Sequence, residues 1–252
     1  MRNARLADHD HLPVDVLPIG TRYPPDFLLA RHRHRRAQLL YGATGVMLVE
    51  TDEGSWTVPA DRAVLIPAGV EHEVRMLDVT TWSLYVEPDA VPWWPTRCTV
   101  VEVEPLLREL VRAANELEAD YDVDGRDGAL VRLVLHELQR VSPLPLRISL
   151  PPGAPLRPLC RAYLAAPDVA VSNADWARAA GMSERTLDRS FRAATGMSPA
   201  AWRARARVLA SLPLLRTCTV TETAGRLGYA SPAAFTRAIG RNPSSFRGAP
   251  GD

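Results

Sequence analysis

Six prolines between Pro143 and Pro158, in the run PLPLRISLPPGAPLRP, constrain this chain most. Each fixes φ and lacks an N–H, so no continuous helix or central strand can cross the stretch. The 252 residues must fold on either side of it, with 144–157 as a semi-extended linker. The two sides differ in charge. Residues 1–158 carry 17 arginines against 23 acidic residues and residues 159–252 carry 13 against 6, although the formal net charge is only +1. All the strongly basic residues are arginine, so arginine richness by itself says little. The change of sign is what points to a polyanionic partner for the carboxyl-terminal side. A hydrophobic fraction of 46% supports buried cores. No apolar run is long enough to span a membrane, and the amino terminus lacks the apolar stretch of a signal peptide, so a cytoplasmic protein is expected. Cys98, Cys160 and Cys218 lie far apart and read as buried thiols.

Residues 1–25 hold Pro13, Pro18, Pro24 and Pro25 with little periodicity and read as a lead-in. From Leu28 short apolar runs alternate with turn signals, which predicts strands near 28–34, 37–41, 45–51, 55–58, 63–66, 71–76 and 80–86, a small barrel or sandwich. Within them His32 and His34 share the parity of one strand face, Gln38 keeps that parity if the pleat continues, and His72 follows in Pro67-x-Gly69-x-x-His72. His9, His11 and His136 fit no such grouping. After Trp93-Trp94-Pro95, a barrel-end contact or interface patch, the period becomes helical. One stripe is Leu106, Leu110, Ala114 and Leu117, and a second is Leu130, Val134, Leu138 and Val141. Such a helix pair can cap the barrel or form a dimer seam.

On the carboxyl-terminal side a helix from about Leu156 to Ala166 leads into SNADWARAAGMSERTLDRSFRAATG, residues 172–196. Ser172 or Asn173 caps a first helix with Trp176, Ala179 and Ala180 inward, Gly181 permits a tight turn, and Ser183 caps a second helix. There Leu187, Phe191 and Ala194 form the apolar back, while Arg185, Asp188, Arg189 and Arg192 face away. Ser198-Pro199 starts a longer helix to about Leu215, with a kink expected at Pro213. A second helix-turn-helix follows, with Thr219 and Glu222 as a capping box, a turn at Leu227-Gly228-Tyr229, and Ser231-Pro232 opening a helix that turns Phe235 and Ile239 inward. Gly240 is expected to weaken the end of that helix.

Two resemblances follow from these residues. His32, His34, Gln38, Gly45 and Pro67-x-Gly69-x-x-His72 resemble the two motifs of the cupin superfamily, with Gln38 in the carboxylate position. That resemblance implies a metal-binding barrel. Imidazole suits zinc, iron, nickel, manganese or copper, whereas an amide oxygen is a weaker, uncharged donor; a polar effector pocket without metal is the other reading. The carboxyl-terminal pattern, Ala179-Ala180-Gly181-Met182-Ser183, Leu187-x-Arg189-x-Phe191, Thr195-Gly196-x-Ser198-Pro199, Trp202, Arg207, Ala224, Leu227-Gly228-Tyr229-x-Ser231 and Phe235, resembles the DNA-binding domain of the AraC/XylS transcription regulators.

Together they imply an α+β multidomain chain: a cupin-like β-barrel with two appended helices over 26–143 as sensor and dimerisation domain, and an all-α domain of two helix-turn-helix units over 158–248. The two recognition helices would enter successive major grooves. The DNA-contacting candidates are Ser183, Arg185, Thr186, Asp188, Arg189 and Arg192 in the first unit and Ser231, Ala233, Thr236, Arg237 and Arg241 in the second. Arg185 and Arg189 lead for base reading, because a guanidinium fork fits guanine bidentately. After Ile239 the sequence runs directly into Pro243-Ser244-Ser245-Phe246-Arg247, shorter than in the family, which puts more of the expected specificity on the first unit. The implied partners are operator DNA, a small-molecule effector, a second copy of the chain and RNA polymerase. The competing class is a cupin-type metalloenzyme fused to a DNA-binding domain, with Glu71 and Glu73 as its only general acid or base candidates.

Overall fold

The computed structural model describes residues 3–240, so Arg241 and the motif at 243–247 lie outside the described residues. The chain forms two compact units, one of residues up to Thr51 plus Trp56–Arg147, the other of Asp52–Ser55 plus the chain from Ile148 onward. Among the described residues no helix is long and apolar enough to cross a membrane.

The first unit carries α1 (Leu6–His9), β1 (Val16–Arg22), β2 (Phe27–His32), β3 (Ala37–Gly42), β4 (Val46–Glu50), β5 (Gly54–Pro59), β6 (Arg62–Ile66), β7 (His72–Leu77), β8 (Thr80–Val86), β9 (Thr99–Glu102), α2 (Pro105–Ala114) and α3 (Arg126–Leu138). One antiparallel sheet runs β1-β8-β3-β6-β9 and the other β5-β4-β7-β2. β10 (Arg147–Ser149) falls inside the expected linker and lies beside β5, where the Thr57 N–H donates to the Leu146 carbonyl at 3.1 Å.

Side-chain alternation gives the first sheet two buried faces. Leu40, Val64 and Ile66 point between the sheets and meet Met47, Val49, Trp56, Val74 and Met76. Leu39, Tyr41, Leu65 and Leu84 point the other way and are covered by α2 and α3 through Leu107, Leu110, Val111, Val131, Val134 and Leu138. The helix pair therefore packs within its own unit. Of the stripe expected on α2, Leu110, Ala114 and Leu117 are buried, but its first member is misplaced: Leu106 is 53% exposed and Leu107 is buried instead. Steps of four residues drift by 40° around a helix, whereas Leu107, Leu110, Val111 and Ala114 alternate threes and fours and hold one face. Trp94 belongs to the barrel, its indole N–H donating to the Ile66 carbonyl at 3.2 Å.

Residues 1–25 are more than a lead-in. They contain β1, whose Val16, Leu17 and Ile19 are buried, and Pro18 is tolerated because β1 is an edge strand. Arg36 fastens this segment. Its guanidinium is wholly buried, donates to Asp10 at 3.0 Å and to the carbonyls of Val14 and Leu12 at 2.8 and 3.1 Å, and pairs with Glu87 at 2.7 Å. Strand β9 also escaped the sequence reading, as a four-residue strand leaves almost no period to detect.

The second unit is helical: α4 (Leu156–Ala165), α5 (Asn173–Ala179), α6 (Glu184–Thr195), α7 (Pro199–Thr217), α8 (Val220–Arg226) and α9 (Pro232–Ile239). Trp176, Phe191 and Trp202 stack around one point with ring centroids 5.6 to 5.9 Å apart, so α5, α6 and α7 share a single aromatic core. Ala177 is the buried alanine of α5, while Ala179 and Ala194, both expected inward, are exposed. Helix α7 continues through Pro213 to Thr217, past the residue where a kink was expected.

Removing Arg36 takes the donor from the carbonyls of Leu12 and Val14 and leaves Asp10 and Glu87 with Arg35 alone. Arg36→Ala should lower unfolding stability by about 3 kcal/mol, read from the midpoint of urea denaturation. A loss under about 1 kcal/mol would show that β1 is held chiefly by its own packing.

Candidate functional site

Three histidines of the barrel converge, by a route the strand-parity argument did not foresee. β2 ends at His32, so His34 lies in the connection to β3 instead of on an unbroken pleat. A register shift between Leu29 and His32 sets His32 directly opposite His72 on β7. Gln38 lies on β3, opposite Ile66 of β6 and Tyr85 of β8. The ring centroids are 4.3 Å apart for His32 and His72, 5.2 Å for His34 and His72, and 6.0 Å for His32 and His34. One nitrogen from each lies within 4.8 Å of the others.

Hydrogen bonding fixes which nitrogen each ring presents. The Nδ1 of His32 meets the Ala30 carbonyl at 2.8 Å, that of His34 the Arg36 carbonyl at 2.6 Å, and that of His72 the Val70 carbonyl at 2.8 Å. A carbonyl oxygen only accepts, so each Nδ1 carries the proton and each neutral ring keeps its lone pair on Nε2. The Nε2 of His34 lies 3.1 Å from the Gln38 Oε1, and the Gln38 amide donates to the Ser83 hydroxyl at 3.3 Å. Two lone pairs thus face one another at His34 and Gln38, a clash that a shared cation, a proton or rotation of the amide relieves. Burial opposes the proton: desolvation lowers the His34 pKa and depresses that of His72 to about 4.

The donor set fits a borderline divalent metal: three imidazoles locked by backbone carbonyls, and an amide oxygen within ligand-to-ligand distance. Glu71 and Glu73 do not join it. Glu71 is exposed and paired with Arg31 at 3.1 Å, and Glu73 occupies the face of β7 opposite His72 and Val74. His11 and His136 are exposed. Ser83 and Tyr85, whose ring stands edge-on to His34 at 5.1 Å, are site residues the sequence reading missed, since strand pairing alone brings β8 to Gln38.

On α6, Arg185, Arg189 and Arg192 are exposed and Thr186 and Asp188 half-buried, with Leu187 and Phe191 beneath. Asp188 accepts from Arg192 Nε at 2.8 Å, which orients that arginine. Ser183 is spent on its helix, its hydroxyl accepting from the Thr186 N–H at 3.2 Å, and Ser231 does the same for Ala234. On α9, Ala233 and Arg237 are exposed, Thr236 is half-buried and Phe235 is buried beneath them. Gly240 does not weaken α9 but ends it: its φ of +70° is left-handed and its N–H donates to the Thr236 carbonyl at 3.1 Å, a conformation glycine adopts freely. Arg207 joins α4 to the turn of the second motif, donating to the Tyr163 hydroxyl at 2.6 Å and the Tyr229 hydroxyl at 3.0 Å.

A histidine whose folded pKa lies below its unfolded value stabilises the fold above the unfolded pKa. That stability is lost as the pH falls toward the folded one. For His72 the window runs from about 6.5 down to about 4. Wild-type protein should lose up to about 3 kcal/mol more than His72→Gln across it, read by urea titration at each pH. Parallel curves for the two proteins would show that His72 titrates normally.

The AraC-like ligand binding domain family matches residues 13–194, and the Helix-turn-helix domain family matches residues 176–248. The HTH-type transcriptional regulator NimR of Escherichia coli (strain K12) is 28% identical over 221 residues, which cover 85% of this chain and 81% of that protein. Among solved structures, ToxT of Vibrio cholerae is 10% identical, covering 92% of this chain and 98% of its own, with a TM-score of 0.39. Wild-type ToxT with a bound unsaturated fatty acid is 11% identical over 92% of this chain and 93% of its own, with a TM-score of 0.37. With an AraC-like ligand-binding barrel matched over more than half its length and a helix-turn-helix domain following it, the chain belongs to the AraC family of transcription regulators.

Proposed function

We propose that the barrel takes a small-molecule effector at His32, His34, Gln38 and His72, with or without a divalent metal, and that occupancy changes how the DNA-binding unit engages an operator. The observation that carries this reading is the set of three Nδ1–H bonds to backbone carbonyls, which leaves Nε2 as the free donor of each ring in a cluster where one nitrogen from each lies within 4.8 Å of the others. Glu71 and Glu73 lie off the cluster, which favours binding over catalysis and so a regulator over a metalloenzyme. Where a metal binds, the same three nitrogens and the Gln38 oxygen hold it, and zinc, iron, nickel, manganese or copper all suit them.

At the DNA end, the exposed arginines of α6 above a buried Leu187 and Phe191 support base reading by Arg185 and Arg189. The capped, glycine-ended α9 supports a second contact through Thr236 and Arg237. A homodimer on a two-fold operator, contact with RNA polymerase and a cytoplasmic setting belong to the same reading.

Two measurements test it. On an operator selected from random duplex DNA, Arg185→Ala and Arg189→Ala should each lose about 1–3 kcal/mol of discrimination over random sequence at fixed salt. Discrimination left intact in both would remove α6 as the reader. For the barrel, elemental analysis of untagged protein should find one equivalent of transition metal in the wild type and far less in His32→Ala/His72→Ala. A wild type without metal would leave the cluster as a metal-free polar pocket.

A further inference from the structure

Arg203, on α7, is only 5% exposed, and its guanidinium lies over the Trp176 ring of α5 with Cζ 4.8 Å from the ring centre. Its Nη2 donates to the Asn173 Oδ1 at 2.7 Å, while Nη1 is buried with no hydrogen-bond partner. Burying a charge on a neutral amide costs more than filling the same space with an apolar side chain, so packing alone does not account for an arginine there. What the arginine does is fix the amide. A guanidinium only donates, so the Asn173 Oδ1 has to face it, and the N–H pair lies on the other arm of the planar group. That pair makes no hydrogen bond among the described residues, and Asn173 is half-buried beside exposed Ser172 at the start of α5. A bond accepted from a cation also polarises the amide and strengthens its N–H groups as donors. Asp175, the acid of the same turn, is engaged: it accepts from the Ser172 N–H at 2.9 Å, the Ser172 hydroxyl at 2.6 Å and Arg178 at 3.3 Å.

The first helix of a helix-turn-helix crosses the DNA backbone while the second enters the groove, and asparagine amides are among the groups that hydrogen-bond phosphate oxygens. Resting on the proposed DNA reading of α5 and α6, we infer that the Asn173 amide donates to one phosphate of the operator backbone, and that Arg203 is the positioning residue that aims and strengthens it. Asn173 touches the DNA, and Arg203 acts through it from the interior. Such a contact sets where the motif sits on the duplex and adds affinity to every sequence alike.

The test compares full-length variants on the selected operator and on a random duplex of equal length at fixed salt. Asn173→Asp keeps an acceptor for Arg203 but replaces the N–H donors with a charge that repels phosphate. Its unfolding midpoint should stay at or above that of the wild type, while affinity for both duplexes falls at least about tenfold with their ratio kept. Unchanged affinity would mean that Asn173 only holds Arg203, and overturns the inference. Arg203→Met, which keeps the packing on Trp176, should weaken both duplexes by a common factor in the wild-type background and by no further factor in Asn173→Ala. An equal loss in both backgrounds overturns the positioning role. Methylphosphonates placed one at a time along the operator locate the contact without any change at Arg203. One position should weaken the wild type and leave Asn173→Ala unaffected, and a scan that weakens both proteins alike at every position also overturns the inference. A wild type that selects no operator from random duplex DNA removes the DNA reading itself. Loss of discrimination in Arg185→Ala and Arg189→Ala beside full affinity in Asn173→Asp removes only the phosphate contact.

Discussion

Three hydrogen bonds, from the Nδ1–H groups of His32, His34 and His72 to the carbonyls of Ala30, Arg36 and Val70, decide what the barrel can do. In each case the acceptor lies two residues away on the same strand or connection, so the backbone that positions the ring also sets its tautomer. Nε2 is then the free donor of each ring, in a cluster where one nitrogen from each lies within 4.8 Å of the others. Everything else in the first unit holds that backbone in place. The register shift in β2 brings His32 opposite His72, the pairing of β3 with β6 and β8 sets Gln38 beside Ser83, and buried Arg36 anchors the connection that carries His34.

The DNA-binding unit rests on a different principle. Most of its helices are short, and short helices are marginal in water; the starts of α5 to α9 are capped in turn by Ser172, Ser183, Ser198, Thr219 and Ser231. Packing supplies the rest. Trp176, Phe191 and Trp202 bind α5 and α6 to α7, and Phe235 with Leu215 and Leu227 does the same for α8 and α9. The Arg207 bridge to Tyr163 and Tyr229 then ties the helix before the first motif to the turn of the second. Gly228 sits where a Cβ would run into the Asp168 side chain, so that turn lies close against the loop leaving α4. Two readers fixed to a common frame can register on one face of a duplex, which two loosely tethered ones cannot.

Much of this was legible in the sequence because it is local. N-caps, capping boxes and the left-handed glycines of the turns are decided within four residues, so both helix-turn-helix motifs could be read almost residue by residue. What depended on pairing between distant segments could not. His34 reaches the cluster from a loop, β1 is recognisable only from the sheet it joins, and Ser83 and Tyr85 enter the site only because β8 lies beside β3. Gly240 was misread for a related reason. Its helix propensity counts against it inside a helix, but one residue past the end the left-handed conformation makes it the favoured choice.

The protonation of the three rings tests this account most directly. Long-range nitrogen-proton correlation spectra of protein labelled with nitrogen-15 in histidine, recorded without added metal at neutral pH, distinguish the two neutral tautomers of each ring. The account predicts a proton on Nδ1 and a bare Nε2 at His32, His34 and His72 alike. A proton on Nε2 at any two of the three would mean that Nε2 is not the free donor of those rings, and would contradict the donor set on which the effector site is proposed.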